Sequence, residues 1–445
     1  MTSTQNKIGM STRRKCGLHK RPSRYVLALI AILLLFLFIL FIQTSYYNTS
    51  KSEYYRTIHG YIGNEENVIH WIDNKYTGCG GNFTGYGHMF AVLKNVTLTK
   101  DHLKFYVPCN RKEFLGLDYS FRYGKEGTHL NDWMKNVIPA EPRSYFGDGS
   151  MQQARTGDSP IDYARLSNRC KLVVIVQRYE FANTYHTMTD WYNVFLVATL
   201  LRESTDDVQV LLVGNNIHGP LDAIWGSMFG KIFYTGEITQ PIIIPKLAWN
   251  ILGYESPINY LSRSTLPFVK EFNQFVLRRH GVTDALPLNC DKLRIVFLLR
   301  RDYVTHAGNK KGTVSRKIKN EDELLEALRQ DYPTADVQGL QFDRFSFKEQ
   351  LQFVANTDIF IGMHGAGLVH ALFLPSHAAV LELYPLYRIQ SLGIMYFRAM
   401  ARWKKLKYTS WQNMNPNNEF PNDYTYIPPN VLQTNVRKLY KQICP

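Results

Sequence analysis

Asp358-Ile359-Phe360-Ile361-Gly362-Met363-His364-Gly365-Ala366-Gly367-Leu368-Val369-His370 reads as a buried strand, a glycine-rich turn and the start of a helix. The run Ile359-Phe360-Ile361 is unbroken apolar sequence, as expected of a parallel strand covered on both faces. The small residues after it let backbone amides approach a ligand, and a helix N-terminus favours an anion at that place. His364 would donate to a phosphate oxygen or a sugar hydroxyl. The competing reading is a tight strand-to-helix turn with a structural histidine. The dinucleotide fingerprint G-x-G-x-x-G is excluded, because His370 stands where its third glycine would be.

Working outward, the same grammar recurs on both sides. Leu293 to Leu299 is a strand, Glu321 to Gln330 an amphipathic helix, Phe347 to Ala355 a second helix, and Ala379 to Leu383 another strand. Earlier in the chain, Leu172 to Val176 and Val208 to Val213 read as buried strands, with a helix from Thr184 to Leu201 between them. Strand, helix, strand at this spacing implies a parallel sheet. Two such series, divided near residues 281–291, predict two Rossmann-like α/β domains facing each other across a cleft. The expected organisation is a cytosolic tail over 1–24, a membrane anchor over 25–47, and a stem with an N-terminal region over 48–165. An acceptor-side domain over 166–288, a donor-side domain over 289–425 and a C-terminal helix over 426–445 complete it. That last helix, centred on Val431 to Ile443, is expected to pack back on the first domain.

The N-terminus sets the topology. Val26 to Ile42 is uninterrupted apolar sequence flanked by Tyr25, Tyr46 and Tyr47, and about 20 such residues span the hydrocarbon layer. It is longer than a signal-peptide core and ends in Gln43-Thr44-Ser45 without a small-residue cleavage pattern, so it reads as an uncleaved single-pass anchor. Seven basic residues and no acid precede it, which leaves the tail in the cytosol and the rest lumenal. The net charge of +15 falls to a modest excess once that tail is set aside, with 45 basic against 37 acidic residues. An anionic small substrate suits that balance, and nothing points to a nucleic acid. A channel or transporter is excluded by the single span. Asn48, Asn82 and Asn95 each open an N-x-S/T acceptor triplet beyond the anchor. Five cysteines, Cys79, Cys109, Cys170, Cys290 and Cys444, would meet an oxidising lumen, and five leaves one free or shared between two copies, so a homodimer is allowed.

Chemistry-bearing residues fall at strand ends. Arg300 and Arg301 close the strand that opens the second domain, with Arg316 and Lys317 following across the loop Ala307 to Thr313. Two arginines on a diphosphate would neutralise charge on a leaving group. Glu382 near the end of its strand is placed to accept from ribose hydroxyls. In the first domain, Glu180, Asn183, Tyr185, His186, Asp190 and Trp191 follow the first strand. His186 and Asp190, four apart, share one helix face and could form a base and its orienter. The alternative is an ordinary helical pair above a core containing Trp191. No D-x-D triplet occurs anywhere, so the usual acidic clamp for a metal-bound nucleotide sugar is missing.

The string MHGAGLVHALFLP followed by ELYP resembles the signature of glycosyltransferase family 61. RYEFANTYHTMTDWYN, LGYES, LLRRDYVTH and SRKIKNEDEL are most similar to its core β1,2-xylosyltransferase branch, over roughly residues 165–405. The resemblance implies a GT-B fold, inversion at the anomeric carbon and a UDP-sugar donor held mainly by the second domain. UDP-xylose is favoured, delivered to the core mannose of a glycoprotein N-glycan in the Golgi. A transferase of the same family using UDP-N-acetylglucosamine on protein or O-mannose glycans is the alternative. It further implies that Arg300, Arg301, Arg316, His364, Gly365, Ala366, Gly367, His370 and Glu382 hold the donor. Asn183, Tyr185 and Trp191 would then meet the acceptor, the base would come from Asp190, His186 or Glu180, and no cofactor is required. The missing D-x-D, with Arg300 and Arg316 present, leads us to expect UDP binding without a divalent ion. Val369 stands where threonine is common in the signature, and the basic loop Asn309-Lys310-Lys311 is particular to this chain. A sugar-binding protein on a degenerate transferase fold would be expected to lack one of Arg300, Arg316, His364 and Glu382, and all four are present.

Overall fold

Two sheets, each with a block of parallel strands, organise the chain. The computed structural model describes residues 66–87, 89–99, 104–109, 137–140, 171–178, 181–213, 219–238, 242–251, 253–282, 285–304, 311–386 and 395–445. The expected membrane anchor, Asn48, Glu180, Cys170 and most of the loop carrying Asn309 and Lys310 lie outside them. Among the described residues no helix is long and apolar enough to cross a membrane.

The first sheet contains β1 (Lys75–Gly78), β2 (Phe83–Tyr86), β3 (Phe90–Thr99), β4 (Lys104–Pro108), β5 (Val137–Ala140), β6 (Leu172–Gln177), β7 (Val208–Val213), β8 (Ile232–Tyr234) and β9 (Ile242–Trp249). Its order is β1-β2-β3-β9-β6-β7-β8, with β4 on β3 and β5 on β4. Strands β9, β6, β7 and β8 are parallel, while β3 runs antiparallel to β9. Residues that the sequence places ahead of the first domain are therefore hydrogen-bonded into its sheet. Helices α1 (Glu66–Asp73), α2 (Thr184–Leu200), α3 (Asp222–Phe229) and α4 (Val269–Arg279) belong to this half. Helix α2 is buried along nearly its whole length; Val194 to Ala198 is unbroken apolar sequence, while Thr187, Thr189, Asp190 and Asn193 are buried polar residues.

The second sheet is built from β10 (Arg294–Leu298), β12 (Asp336–Leu340), β13 (Ile359–Met363), β14 (Ala379–Tyr384) and β15 (Lys407–Gln412). The short strands β11 (Lys317–Ile318), β16 (Glu419–Phe420) and β17 (Tyr424–Thr425) form a separate three-stranded sheet. All five strands of the second sheet are parallel, in the order β12-β10-β13-β14-β15. Helices α5 (Glu321–Asp331), α6 (Phe347–Ala355), α7 (Tyr396–Trp403) and α8 (Pro429–Ile443) pack around it. Chain order reverses between β10 and β13, and ligands of open parallel sheets bind beyond the carboxyl ends at such a switch point.

The glycine-rich turn leads into a helix as expected, a 3-10 helix over Ala366–Phe373. One expectation is corrected. The C-terminal helix packs on the second sheet, not the first. Leu432, Val436, Leu439 and Ile443 form an apolar stripe at helical spacing that joins Ile295, Ile361 and Leu381 in one core. The disulfide Cys290–Cys444 ties the end of α8 to the chain just ahead of β10. A second disulfide, Cys79–Cys109, lies in the first sheet's core. The largest apolar core runs through both halves, from Trp191 and Phe272 to Leu368 and Leu372. Asn273 Nδ2 donates to the Leu372 carbonyl at 2.7 Å and stitches α4 to the 3-10 helix.

Candidate functional site

A cleft of about 760 Å³ opens beyond the carboxyl ends of β10, β12 and β13. Its opposite wall comes from the residues around the N-termini of α2 and α3, including Asn183 and Leu221.

Arg300 shapes the second-sheet wall. It follows β10, lines the cleft and lies against the glycine turn. A Cβ on Gly365 would come within 2.5 Å of Arg300 Nη1 and 2.9 Å of its Cζ. A side chain there would have to displace the Arg300 guanidinium, although the backbone at Gly365 is ordinary extended chain with φ 172°. A Cβ on Gly367 would likewise come within 2.7 Å of Leu298 Cδ2. Arg300 Nε donates to the Ser315 carbonyl at 2.6 Å, and no carboxylate pairs with the guanidinium among the described residues. Burial lowers its pKa, yet an arginine stays charged. A partly buried cation with no carboxylate on it among the described residues, set at a switch point, is an attractor for an anion.

The neighbouring charges are compensated. Arg301 Nε donates to Glu321 Oε2 at 2.6 Å, which raises the Arg301 pKa. Asp302 accepts from the buried Lys317 Nζ at 2.8 Å through both oxygens and from the Val314 amide. Lys317, foremost, holds the Asp302 carboxyl below its usual range. Tyr303 N donates to the Gly312 carbonyl at 2.8 Å. These bonds hold the strand end and the returning segment at Ser315 together. Arg316 is not part of the cleft wall; its left-handed backbone, φ 62°, follows the carbonyl that receives Arg300.

His364 and Glu382 lie beneath the wall. Glu382 is fully buried, with His364 Nδ1 2.5 Å from its Oε1 and the Tyr408 hydroxyl donating to Oε2 at 2.6 Å. The His364 ring stacks on Tyr384 at 5.1 Å and meets Phe397 at 5.3 Å. Burial, then the Glu382 charge, pushes both tyrosine hydroxyls up. As placed, the Glu382 carboxylate is engaged by His364 and Tyr408. Ala366, Gly367 and His370 line the cleft.

On the facing wall the polar groups serve the fold. Asn183 caps α2, its Oδ1 accepting from the Tyr185 amide at 3.0 Å. The Tyr185 hydroxyl donates to Asn259 Oδ1 at 2.8 Å, and its ring packs against Tyr396 at 4.9 Å. Trp191 has no exposed surface and meets Trp225 edge-on at 6.2 Å, which leaves it no face for an acceptor. Asp190 is 1% exposed, and His186 is half-buried one turn before it. Arg178 Nη1 donates to Asp222 Oδ1 at 2.6 Å, while Asp222 Oδ2 accepts from the Tyr234 hydroxyl and the Gly219 amide. Away from the cleft, Asn95 Nδ2 donates to Asn82 Oδ1 at 3.1 Å, so two of the acceptor triplets are neighbours.

Sequence reasoning missed the aromatic end of the cleft. Phe342, Asp343, Phe345 and Phe347 follow β12 and line it. The strand DVQGL has only two apolar side chains, Val337 and Leu340, too few to register as buried; recognised as a strand, it would have placed these residues at a carboxyl edge.

Residues 170–381 match the family model described as Glycosyltransferase 61. The chain is similar to a beta-1,2-xylosyltransferase of Oryza sativa subsp. japonica, 26% identical over 53% of this chain and 48% of that protein. It is similar also to the EGF domain-specific O-linked N-acetylglucosamine transferases of Mus musculus, 29% identical over 55% of this chain and 45% of that protein, and of Drosophila melanogaster, 30% identical over 52% and 43%. The matches thus span about half the length of these curated relatives.

Proposed function

We propose, from the premise that this chain carries a glycosyltransferase family 61 domain over residues 170–381, that it is an inverting UDP-sugar transferase of GT-B type. The observation that carries this reading is Arg300, a partly buried cation with no carboxylate on its guanidinium among the described residues, set against Gly365 at the switch point of a parallel sheet. In the reaction, an acceptor hydroxyl oxygen forms a bond to the anomeric carbon while the bond to the UDP oxygen breaks. The proton passes to a base drawn from Glu180, His186 and Asp190. Arg300 stabilises the charge that collects on the departing diphosphate. Arg301 and Arg316 add positive potential from beside the wall, and His364, Gly365, Ala366, Gly367, His370 and Glu382 shape and support it.

UDP-xylose is the favoured donor, with the core mannose of an N-glycan as acceptor. The likeness to the rice xylosyltransferase supports that choice. The similar likeness to the mouse enzyme supports UDP-N-acetylglucosamine as the second reading. The apolar run within residues 25–47 and its basic flank support a single-pass Golgi protein with a lumenal catalytic region, glycosylated at one or more of Asn48, Asn82 and Asn95. The test is free-UDP release by the full-length protein across a panel of UDP-sugars and glycan acceptors, with His186→Ala and Asp190→Asn alongside. Turnover with UDP-xylose, and loss of about 10²–10⁴-fold in kcat in whichever variant removes the base, is expected. No release from any UDP-sugar would refute the reading.

A further inference from the structure

His370, which lines the cleft, carries a buried ring nitrogen with no hydrogen-bond partner among the described residues. His370 Nδ1 lies 2.9 Å from the Gly367 carbonyl oxygen. A carbonyl only accepts, so Nδ1 carries the proton and Nε2 is a lone-pair acceptor. That Nε2 is buried and has no hydrogen-bond partner among the described residues. The ring is 1% exposed and sits edge-on to Phe342 at 4.9 Å and 5.8 Å from Phe347. Burial pushes its pKa down to about 4, so it stays neutral at physiological pH. Native proteins rarely leave a buried acceptor unmatched, and this one borders a ligand-sized cleft.

We infer that His370 Nε2 accepts a hydrogen bond from the N3–H of the donor's uracil and thereby selects a uridine nucleotide. The inference rests on the UDP-sugar reading of the site. Phe342, after β12, and Phe347 pack on His370, and all three line the cleft that Arg300 also lines. A diphosphate on Arg300 leaves the aromatic end of the cleft to the base. Flat apolar walls suit a planar heterocycle, whereas a sugar ring would need polar partners for several hydroxyls. The nearby polar side chains are already committed. Gln350 Nε2 donates to the carbonyls of Phe342 and Phe345 at 2.8 and 2.9 Å, and Ser346 Oγ donates to Glu349 Oε2 at 2.7 Å. Uracil N3 bears a hydrogen, while cytosine N3 bears a lone pair that would face another lone pair. With its tautomer set by Gly367, the neutral ring cannot turn donor to accommodate cytosine.

The test is calorimetric titration of the full-length protein with UDP, N3-methyl-UDP and CDP. UDP is expected to bind at least about tenfold tighter than the other two, the usual scale for leaving a buried acceptor unmatched. In His370→Phe that preference should shrink below about threefold, whereas a merely structural role would weaken all three nucleotides together and leave their ratios alone. Equal affinity of the unmodified protein for UDP and N3-methyl-UDP overturns the inference alone, with no variant having to fold. Failure of every uridine nucleotide to bind overturns the UDP-sugar reading and this inference with it. If His370→Phe weakens UDP-sugars but not UDP, the histidine meets the sugar and the assignment to uracil is wrong.

Discussion

The carboxyl edges of the parallel strands in the two sheets carry similar residues and use them differently. At the edge of the first sheet, Arg178 is paired with Asp222, which also receives Tyr234 and the Gly219 amide. At the edge of the second sheet, the Arg300 guanidinium donates to the Ser315 carbonyl, and among the described residues no carboxylate pairs with it. An arginine at a strand end is therefore not by itself a sign of a binding site. What separates the two is compensation: a cation matched within the fold stabilises the fold, and one left unmatched in a cleft awaits an anion.

Substitutions at the two edges should therefore have opposite signatures. Arg178→Ala breaks a buried pair and is expected to cost about 3–5 kcal/mol of stability, with UDP affinity unchanged in whatever remains folded. Denaturation midpoints and UDP titration read the two effects separately. Arg300→Ala should cost about 2–4 kcal/mol of UDP affinity with little loss of stability, because among the described residues no carboxylate depends on that charge. Gly365→Ala should act in the same direction by displacing that guanidinium, at about 1–3 kcal/mol. Equal stability losses from Arg178→Ala and Arg300→Ala would dissolve the contrast.

The smallest effect concerns acid. His370 has a folded pKa of about 4, below the ordinary histidine value of about 6.5. Between those values the unfolded chain binds the extra proton, so the native state loses stability as pH falls through that window, by about 1.4 kcal/mol per unit at most. His370→Phe removes this term. The thermal midpoint of the unmodified protein should fall relative to that of His370→Phe between pH 7 and pH 5, and parallel pH profiles would show that the ring is not buried neutral.

The strand β13 and its glycine turn were legible because each depends on neighbours in sequence: an apolar run, then residues too small to block an approach. What lay across the turn was not. The crowding at Gly365 comes from Arg300, brought there by the pairing of β10 with β13. Glu382 reads as a ribose acceptor until Tyr408 and His364 are seen to claim both its oxygens. Strands β1 to β3 mix polar and apolar residues because one antiparallel edge is half-solvated, so nothing local marks them as part of the sheet that begins again at Leu172. The stripe on α8 was legible, but the face that it covers was not.

The central claim is that the second sheet's carboxyl edge binds UDP through fixed protein charge. The most direct measurement is calorimetric titration of UDP into the full-length protein with a chelator present. The account predicts saturable binding there that is lost on Arg300→Ala. Binding that vanishes with chelator and returns with manganese would contradict it.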